Sequence, residues 1–212
     1  MHFIRYYSHE IYSVITILLI TLSAIFLTPD AAQKFALAYA AIFLFHEWEE
    51  NNYPGGFFDV MLGEVMKFDP IPPEEKLRCA RIYVYLLLLC LTLLPLCLHN
   101  HIWLILPFVY LGFLEGFVHT NAPRIFRLKR KVVPGVVSAV CSFALSVFTL
   151  CYLIINHLVN PWLYLAAIPI LICGLFMMGR FGMAANGIKF SEALARAKNN
   201  FKEIRQKERS KR

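Results

Sequence analysis

Charge is scarce in this chain. Asp, Glu, Lys and Arg make up 17% of its 212 residues, against 58% hydrophobic and 15% aromatic residues. That balance excludes a disordered chain and is too apolar for a soluble enzyme. Cysteine is sparse and unpatterned: Cys79, Cys90, Cys97, Cys141, Cys151 and Cys173 lie within or beside apolar runs with no C-x-x-C spacing. They read as small packing residues, which excludes a secreted disulfide scaffold. Internal repeats, a Gly-rich phosphate loop, a Walker sequence and a G-x-S-x-G elbow are all missing.

What the chain does have is long uncharged runs, at residues 11–28, 35–45, 82–98, 102–114, 132–155 and 162–179. Each span needs ~20 residues, so six of them take ~120 and leave no room for a second folded domain. The expected fold is an all-α membrane protein: a six-span helix bundle with a short interfacial helix and a basic amphipathic C-terminal helix. Residues 1–186 form the membrane domain and 187–212 the tail. The first run follows only Arg5 and Glu10 and shows no small-residue cleavage site, so it reads as a retained helix.

Lysine and arginine set the expected orientation. Arg124, Arg127, Lys129, Arg130 and Lys131 crowd the loop between spans four and five, and nine basic residues lie from Lys189 to Arg212. The turns at residues 99–101 and 156–160 contain neither Lys nor Arg. Both termini are therefore expected in the cytoplasm, at the plasma membrane if the source is bacterial. The net charge of +7 then serves anionic lipid headgroups as partners; a nucleic-acid partner is not expected.

In the tail, Phe190, Leu194, Ala197, Phe201 and Ile204 repeat at helical spacing among basic residues, as expected of a helix lying on the cytoplasmic leaflet. Between spans two and three, Tyr53-Pro54-Gly55-Gly56 makes a turn. Phe57, Phe58, Met61, Leu62, Val65 and Phe68 then line one face of a short interfacial helix, which could also act as a lid. Pro95, Pro107 and Pro169 are expected to kink spans three, four and six. Gly112 and Gly116 would let a neighbouring helix come close beside Glu115.

Spans two and four are shortened by two acid/His clusters. In His46-Glu47-Trp48-Glu49-Glu50, residues 46, 49 and 50 share a helical face while Glu47 points ~100° away. Glu115 and His119 share a face by i, i+4 spacing. A rise of ~1.5 Å per residue, counted from Phe35 and Ile102, puts His46 ~17 Å, Glu49 ~21 Å, Glu50 ~23 Å, Glu115 ~20 Å and His119 ~26 Å into a core ~30 Å thick. The clusters match in depth, where each ionisable group costs ~2.5–3.5 kcal/mol unless partnered.

Three carboxylates, Glu49, Glu50 and Glu115, exceed what two histidinium rings can neutralise. A divalent metal, an extra proton, or an inward-reaching Arg124 or Lys67 would balance them. The metal reading makes His46, Glu50, Glu115 and His119 the ligands, with zinc favoured over iron or manganese. Glu49 then serves as general base or a further ligand for hydrolysis of a lipid or apolar substrate, with metal-dependent oxidation next. The same groups would also suit a proton- or cation-coupled transporter, or a purely structural hydrogen-bonded network.

The five-residue motif at the end of a second hydrophobic span, the later His119, and the basic loop leading to Pro134-Gly135 resemble the family of small integral membrane proteins named for its His-x-x-Glu-Glu motif. The resemblance runs from about Phe35 to Val140. It implies that His46, Glu49 and Glu50 are signature positions and implies no activity. Outside these clusters, His99, His101 and His157, and also His2 and His9, read as solvated at the interfaces. Asn121 reads as a helix-end cap, or less simply as a group orienting a ligand.

Overall fold

The computed structural model describes residues 2–210, the side chain of Glu208 excepted, so Lys211 and Arg212 of the expected tail lie outside the described residues. No strand occurs among those residues. A short α1 (His2–Tyr6) leads into α2 (Ser8–Phe26) and α3 (Ala31–Asn51). Next come α4 (Glu74–Ala80) and α5 (Ile82–Cys97), which meet at Arg81, then α6 (Leu106–Ile125), α7 (Val136–Ile155), α8 (Pro161–Ala185) and α9 (Phe190–Arg209). A π-helix, Asp59–Val65, lies between α3 and α4, and a 3-10 turn, Ile102–Ile105, opens into α6.

Five stretches are long and apolar enough to cross a membrane: α2, Glu74–Cys97, Ile102–Ile125, α7 and α8. Their length and composition suit a helical membrane protein. Of the two other long helices, α9 and α3, the latter has 21 residues but carries Lys34, Glu47, Glu49 and Glu50. Its surroundings account for that composition. It packs against α2, α5 and α7, and Ala36, Tyr39, Ala40 and Phe43 are at most 2% exposed. A helix enclosed by other helices can carry polar groups that a lipid-facing helix cannot.

The start of α3 is fixed by a capping box: Asp30 accepts from the Gln33 backbone N–H at 2.9 Å, while Gln33 Oε1 accepts from the Asp30 N–H at 3.2 Å. Further along, Phe108 of α6 stacks between Tyr39 and Phe43 of α3, with ring centroids 5.1 and 5.6 Å apart. This aromatic layer sets the register between the two helices that carry the polar clusters.

Helix α6 lies closest to α7, as the glycine spacing led us to expect. A Cβ on Gly112 would sit 2.2 Å from Ser146 Oγ and 2.8 Å from the Ser142 carbonyl; one on Gly116 would sit 2.6 Å from Phe143 Cβ. Pro107 falls in the first turn of α6, where its missing N–H is harmless, so it does not kink that span. Pro95 and Pro169 do lie inside α5 and α8.

Two surface expectations need correcting. Val60, Leu62 and Val65 of the π-helix are buried rather than lipid-facing: Val60 packs with Ala122 and Val133, and α9 covers the side of Leu62 and Val65. Asn200 of α9 donates to the Glu64 and Val65 carbonyls at 3.1 and 3.0 Å, satisfying groups at the end of the π-helix. Ala193 packs with Leu62 and Leu77, whereas Leu194 and Phe201 remain exposed. The tail helix therefore docks on the protein by one edge of its apolar face and leaves the other edge free.

The α6–α7 contact gives a direct stability test. Gly112→Val should destabilise the protein by at least ~1–3 kcal/mol, as expected for overpacking against backbone. Gly182→Ala, whose added Cβ meets nothing closer than 4.0 Å, should be neutral or mildly stabilising. Thermal unfolding of both variants in detergent measures the difference.

Candidate metal centre

Two helices supply the centre, each through an i, i+4 pair. On α3, His46 Nε2 lies 3.4 Å from Glu50 Oε1; on α6, His119 Nε2 lies 3.3 Å from Glu115 Oε2. Across the interface, His46 Nε2 is 3.6 Å from Glu115 Oε2, and His119 Nε2 is 3.1 Å from Glu50 Oε1. The four contacts close a ring in which imidazole and carboxylate alternate. His46, Glu50 and His119 are buried, at 4, 9 and 1% exposure. One ligand atom each from His46, Glu115 and His119 falls within 4.8 Å of the other two. The depth match expected between the clusters is thus realised as contact.

The ring nitrogens are oriented from outside. His46 Nδ1 lies 2.9 Å from Ser138 Oγ and 3.2 Å from the Gly135 carbonyl. A carbonyl can only accept, so Nδ1 carries a proton, and Nε2 is the ring nitrogen that faces the centre. His119 Nε2 is buried with two carboxylate oxygens at 3.1 and 3.3 Å, yet neither lies in hydrogen-bonding direction from it. His119 Nδ1 likewise has no hydrogen-bond partner among the described residues. Phe57 covers that ring, 5.5 Å between centroids and 19° from parallel.

Gly135 brings the start of α7 against the centre. Its φ of 89° belongs to the left-handed region, and a Cβ there would lie 2.8 Å from His46 Cε1, 2.9 Å from His119 Cε1 and 3.0 Å from Glu50 Cγ. Only glycine fits both the backbone and the space.

Glu49 is placed differently from the expectation. It is neither in the ring nor on the cavity wall. Its Oε2 accepts from the Ser138 backbone N–H at 2.8 Å and from the Ser138 hydroxyl. It therefore stands behind Ser138, on the Nδ1 side of His46. The spacing of the motif follows: His46 and Glu50 face the ring, and Glu49 holds the hydroxyl that borders His46. Neither Arg124 nor Lys67 forms an ion pair with the ring among the described residues; the Lys67 carbonyl instead accepts from Arg196.

The residue that sequence reasoning missed is Glu47. Turned away from His46, it is still buried, because α2 and α5 pack on α3. It is 4% exposed, accepts from Asn51 Nδ2 at 3.0 Å, and lines the same cavity as His46, Glu50 and Glu115. The signal lay in the string His46-Glu47, since in H-E-x-x-H sites the residue after the first His is the base. His9 was also misjudged as interfacial. It is 2% exposed, with Nδ1 3.0 Å from the Tyr85 hydroxyl and Nε2 3.1 Å from Asn52 Nδ2. Asn121 donates to the Phe117 carbonyl of its own helix at 2.9 Å and orients nothing in the ring.

The cavity measures about 310 Å³. Apart from the acids and His46, its walls are mostly apolar, with α5 (Val84, Leu87, Leu88), α6 (Leu111, Leu114) and α8 (Leu175, Met178) on three sides and Phe57 to Met66 on a fourth.

Helices of membrane length around a buried, alternating His/Glu ring define a class: an all-helical bundle suited to a membrane, with a polar centre inside it. The profile of the family described as "Protein of unknown function with HXXEE motif" matches residues 37–151, more than half of the chain, and the chain belongs to that family. The matched segment contains the whole ring, Ser138 and Gly135. No curated protein and no solved structure matches the chain.

Gly135→Ala should cost more than backbone strain of ~1–3 kcal/mol alone, because it also displaces three ring residues. Gly187→Ala, at φ 74° with nothing within 4 Å, carries the strain without the clash. Comparing their melting temperatures separates the two effects.

Proposed function

We propose that the protein is a six-span membrane enzyme that holds a divalent metal, zinc before iron or manganese, at His46, Glu50, Glu115 and His119, and hydrolyses a lipid or apolar substrate. The observation that carries this reading is the size of the ring. Ligands ~2.0–2.1 Å from a tetrahedral metal stand roughly 3.3–3.4 Å apart; one ligand atom each from His46, Glu115 and His119 lies within 4.8 Å of the other two, and Glu50 Oε1 stands beside this trio, 3.1 Å from His119 Nε2 and 3.4 Å from His46 Nε2.

Charge and direction support the same reading. Two ionised glutamates with two neutral imidazoles carry −2, which a divalent cation cancels. His119 Nε2, with two carboxylate oxygens at 3.1 and 3.3 Å and no hydrogen bond to either, is free to bind a metal. In the H-E-x-x-E string, Glu47 takes the base position, and it lines the cavity into which a metal-activated water would project. Glu115, 24% exposed at its side chain, borders that cavity and is the ligand nearest to substrate.

Placement in the membrane completes the proposal. Enclosed α3 is the sixth span, and both termini and the basic loop face the cytoplasm. Residues 1–186 make the membrane domain, and 187–212 a tail whose free edge meets anionic headgroups. A second reading, proton or cation transport, draws on the buried hydroxyls Ser138, Ser142, Ser146 and Thr149 along one face of α7. Against it, Ser142 Oγ is engaged by the Ala139 carbonyl and Ser146 by Tyr39, and Gly112 packs directly on the stripe.

Elemental analysis of detergent-purified protein tests the proposal. Near-stoichiometric zinc, iron or manganese is expected in the wild type and absent from His46→Ala and Glu115→Gln. Ser138→Ala should bind metal ~10–100-fold more weakly, because it removes a group that orients His46. No metal in monodisperse wild type, even after add-back, contradicts the reading.

A further inference from the structure

Arg81 is a cation in an unusual position. It lies inside the membrane-length stretch Glu74–Cys97, at the junction of α4 and α5, and lines the cavity beside the ring. Three residues earlier, Arg78 is fully engaged: it pairs with Glu10, and its Nε donates to the Tyr6 carbonyl at 2.9 Å. Arg81 has no such partner. Its guanidinium makes no ion pair with Glu47, Glu50 or any other acid among the described residues, its Nε is buried without a hydrogen-bond partner, and its contact is the Phe58 ring at 5.1 Å. Arg81 is half-buried, and a part-buried cation without a counter-ion, inside a stretch of membrane length, is a place suited to an arriving anion.

Asn186 lines the same cavity. Its Nδ2 donates to the Gly182 carbonyl at 2.9 Å, while its Oδ1 is buried and accepts from nothing. The wall thus offers one unpaired cation and one unpaired acceptor, near the N-terminal end of α5 and the C-terminal end of α8. The cavity as a whole measures about 310 Å³, and Leu87, Leu88, Leu111, Leu175 and Met178 form much of its remaining wall. That is near the lower limit of small-molecule sites, ~300–1,000 Å³, and suits one hydrocarbon chain better than two.

We propose that the cavity binds a single-chain amphiphile with an anionic headgroup, a carboxylate or a phosphate, which pairs with Arg81, while a headgroup hydroxyl donates to Asn186 and the chain lies among the leucines. This rests on the metal-enzyme reading only in making that amphiphile the substrate; the binding itself needs Arg81 and the apolar walls. The headgroup sits at the membrane edge, and the bond to be cleaved lies near the polar end of the chain, beside His46 and Glu115.

The test uses the full chain in a neutral sugar detergent and three probes sharing an oleoyl chain: oleate, 1-oleoylglycerol 3-phosphate and 1-monooleoylglycerol. Binding is read by native mass spectrometry, with metal content and melting temperature measured on the same samples. At least one anionic probe should bind about tenfold or more tightly than the neutral one. Preference for the phosphate probe alone identifies a phosphate headgroup, and preference for oleate alone a carboxylate. Arg81→Gln should abolish the preference, Arg81→Lys should keep most of it, and Asn186→Ala should weaken only the hydroxyl-bearing probes. Equal binding of all three probes to wild type, or an undiminished preference in Arg81→Gln, overturns the proposal. If Arg81→Gln does not fold, loss of preference in Arg81→Lys overturns it. Preference without metal supports this proposal and removes the enzyme reading, whereas metal without preference does the reverse.

Discussion

Two carboxylates and two imidazoles buried side by side are tolerable only if they balance one another or a guest charge, and the centre of this bundle is arranged around that constraint. The four groups come from two i, i+4 pairs on separate helices, so the balance exists only while α3 and α6 keep their register. The Tyr39–Phe108–Phe43 stack holds that register from within the apolar core. Glycine at 112 and 116 lets α7 close on α6, and glycine at 135 lets the start of α7 reach the ring itself. Each of these features would be unremarkable alone. Together they bring backbone and side chains from three helices to one point.

The architecture also accounts for the motif. Of its three fixed positions, two face the ring and the third, Glu49, grips the start of α7 through Ser138. Ser138 in turn borders His46 Nδ1. A carboxylate, a hydroxyl and an imidazole in sequence are a familiar way of fixing which nitrogen of a histidine is free to bind. The motif is thus one buried pair plus the strut that orients its histidine, written on a single helical turn.

Much of this was legible in the sequence. Uncharged runs outlined the helices because lipid-facing positions admit little but apolar residues. Overlapping depths of His46 and Glu50 on one helix and Glu115 and His119 on the other predicted their meeting, because a helix advances by a fixed rise. What failed were inferences that depend on neighbours. Glu47 was set aside because it turns from His46, but the side of α3 it turns to is covered by other helices. Glu49 shares a face with His46, yet Ser138, 89 residues away, claims its oxygen. His9 looked interfacial until Tyr85 and Asn52 were seen to enclose it. The π-helix looked lipid-facing because its cover, α9, comes from the far end of the chain. Periodicity reports which residues share a face, whereas partners across the fold decide what that face does.

The central claim is that His46, Glu50, Glu115 and His119 form one coordination centre rather than two adjacent polar pairs. X-ray absorption at the K-edge of the metal bound to purified wild-type protein tests it most directly. The account predicts a first shell of nitrogen and oxygen only, at ~2.0–2.1 Å for zinc, with outer-shell scattering from two imidazole rings that falls to one ring in His119→Ala. A sulfur-containing shell, an oxygen-only shell, or a two-imidazole signal unchanged in His119→Ala would contradict it.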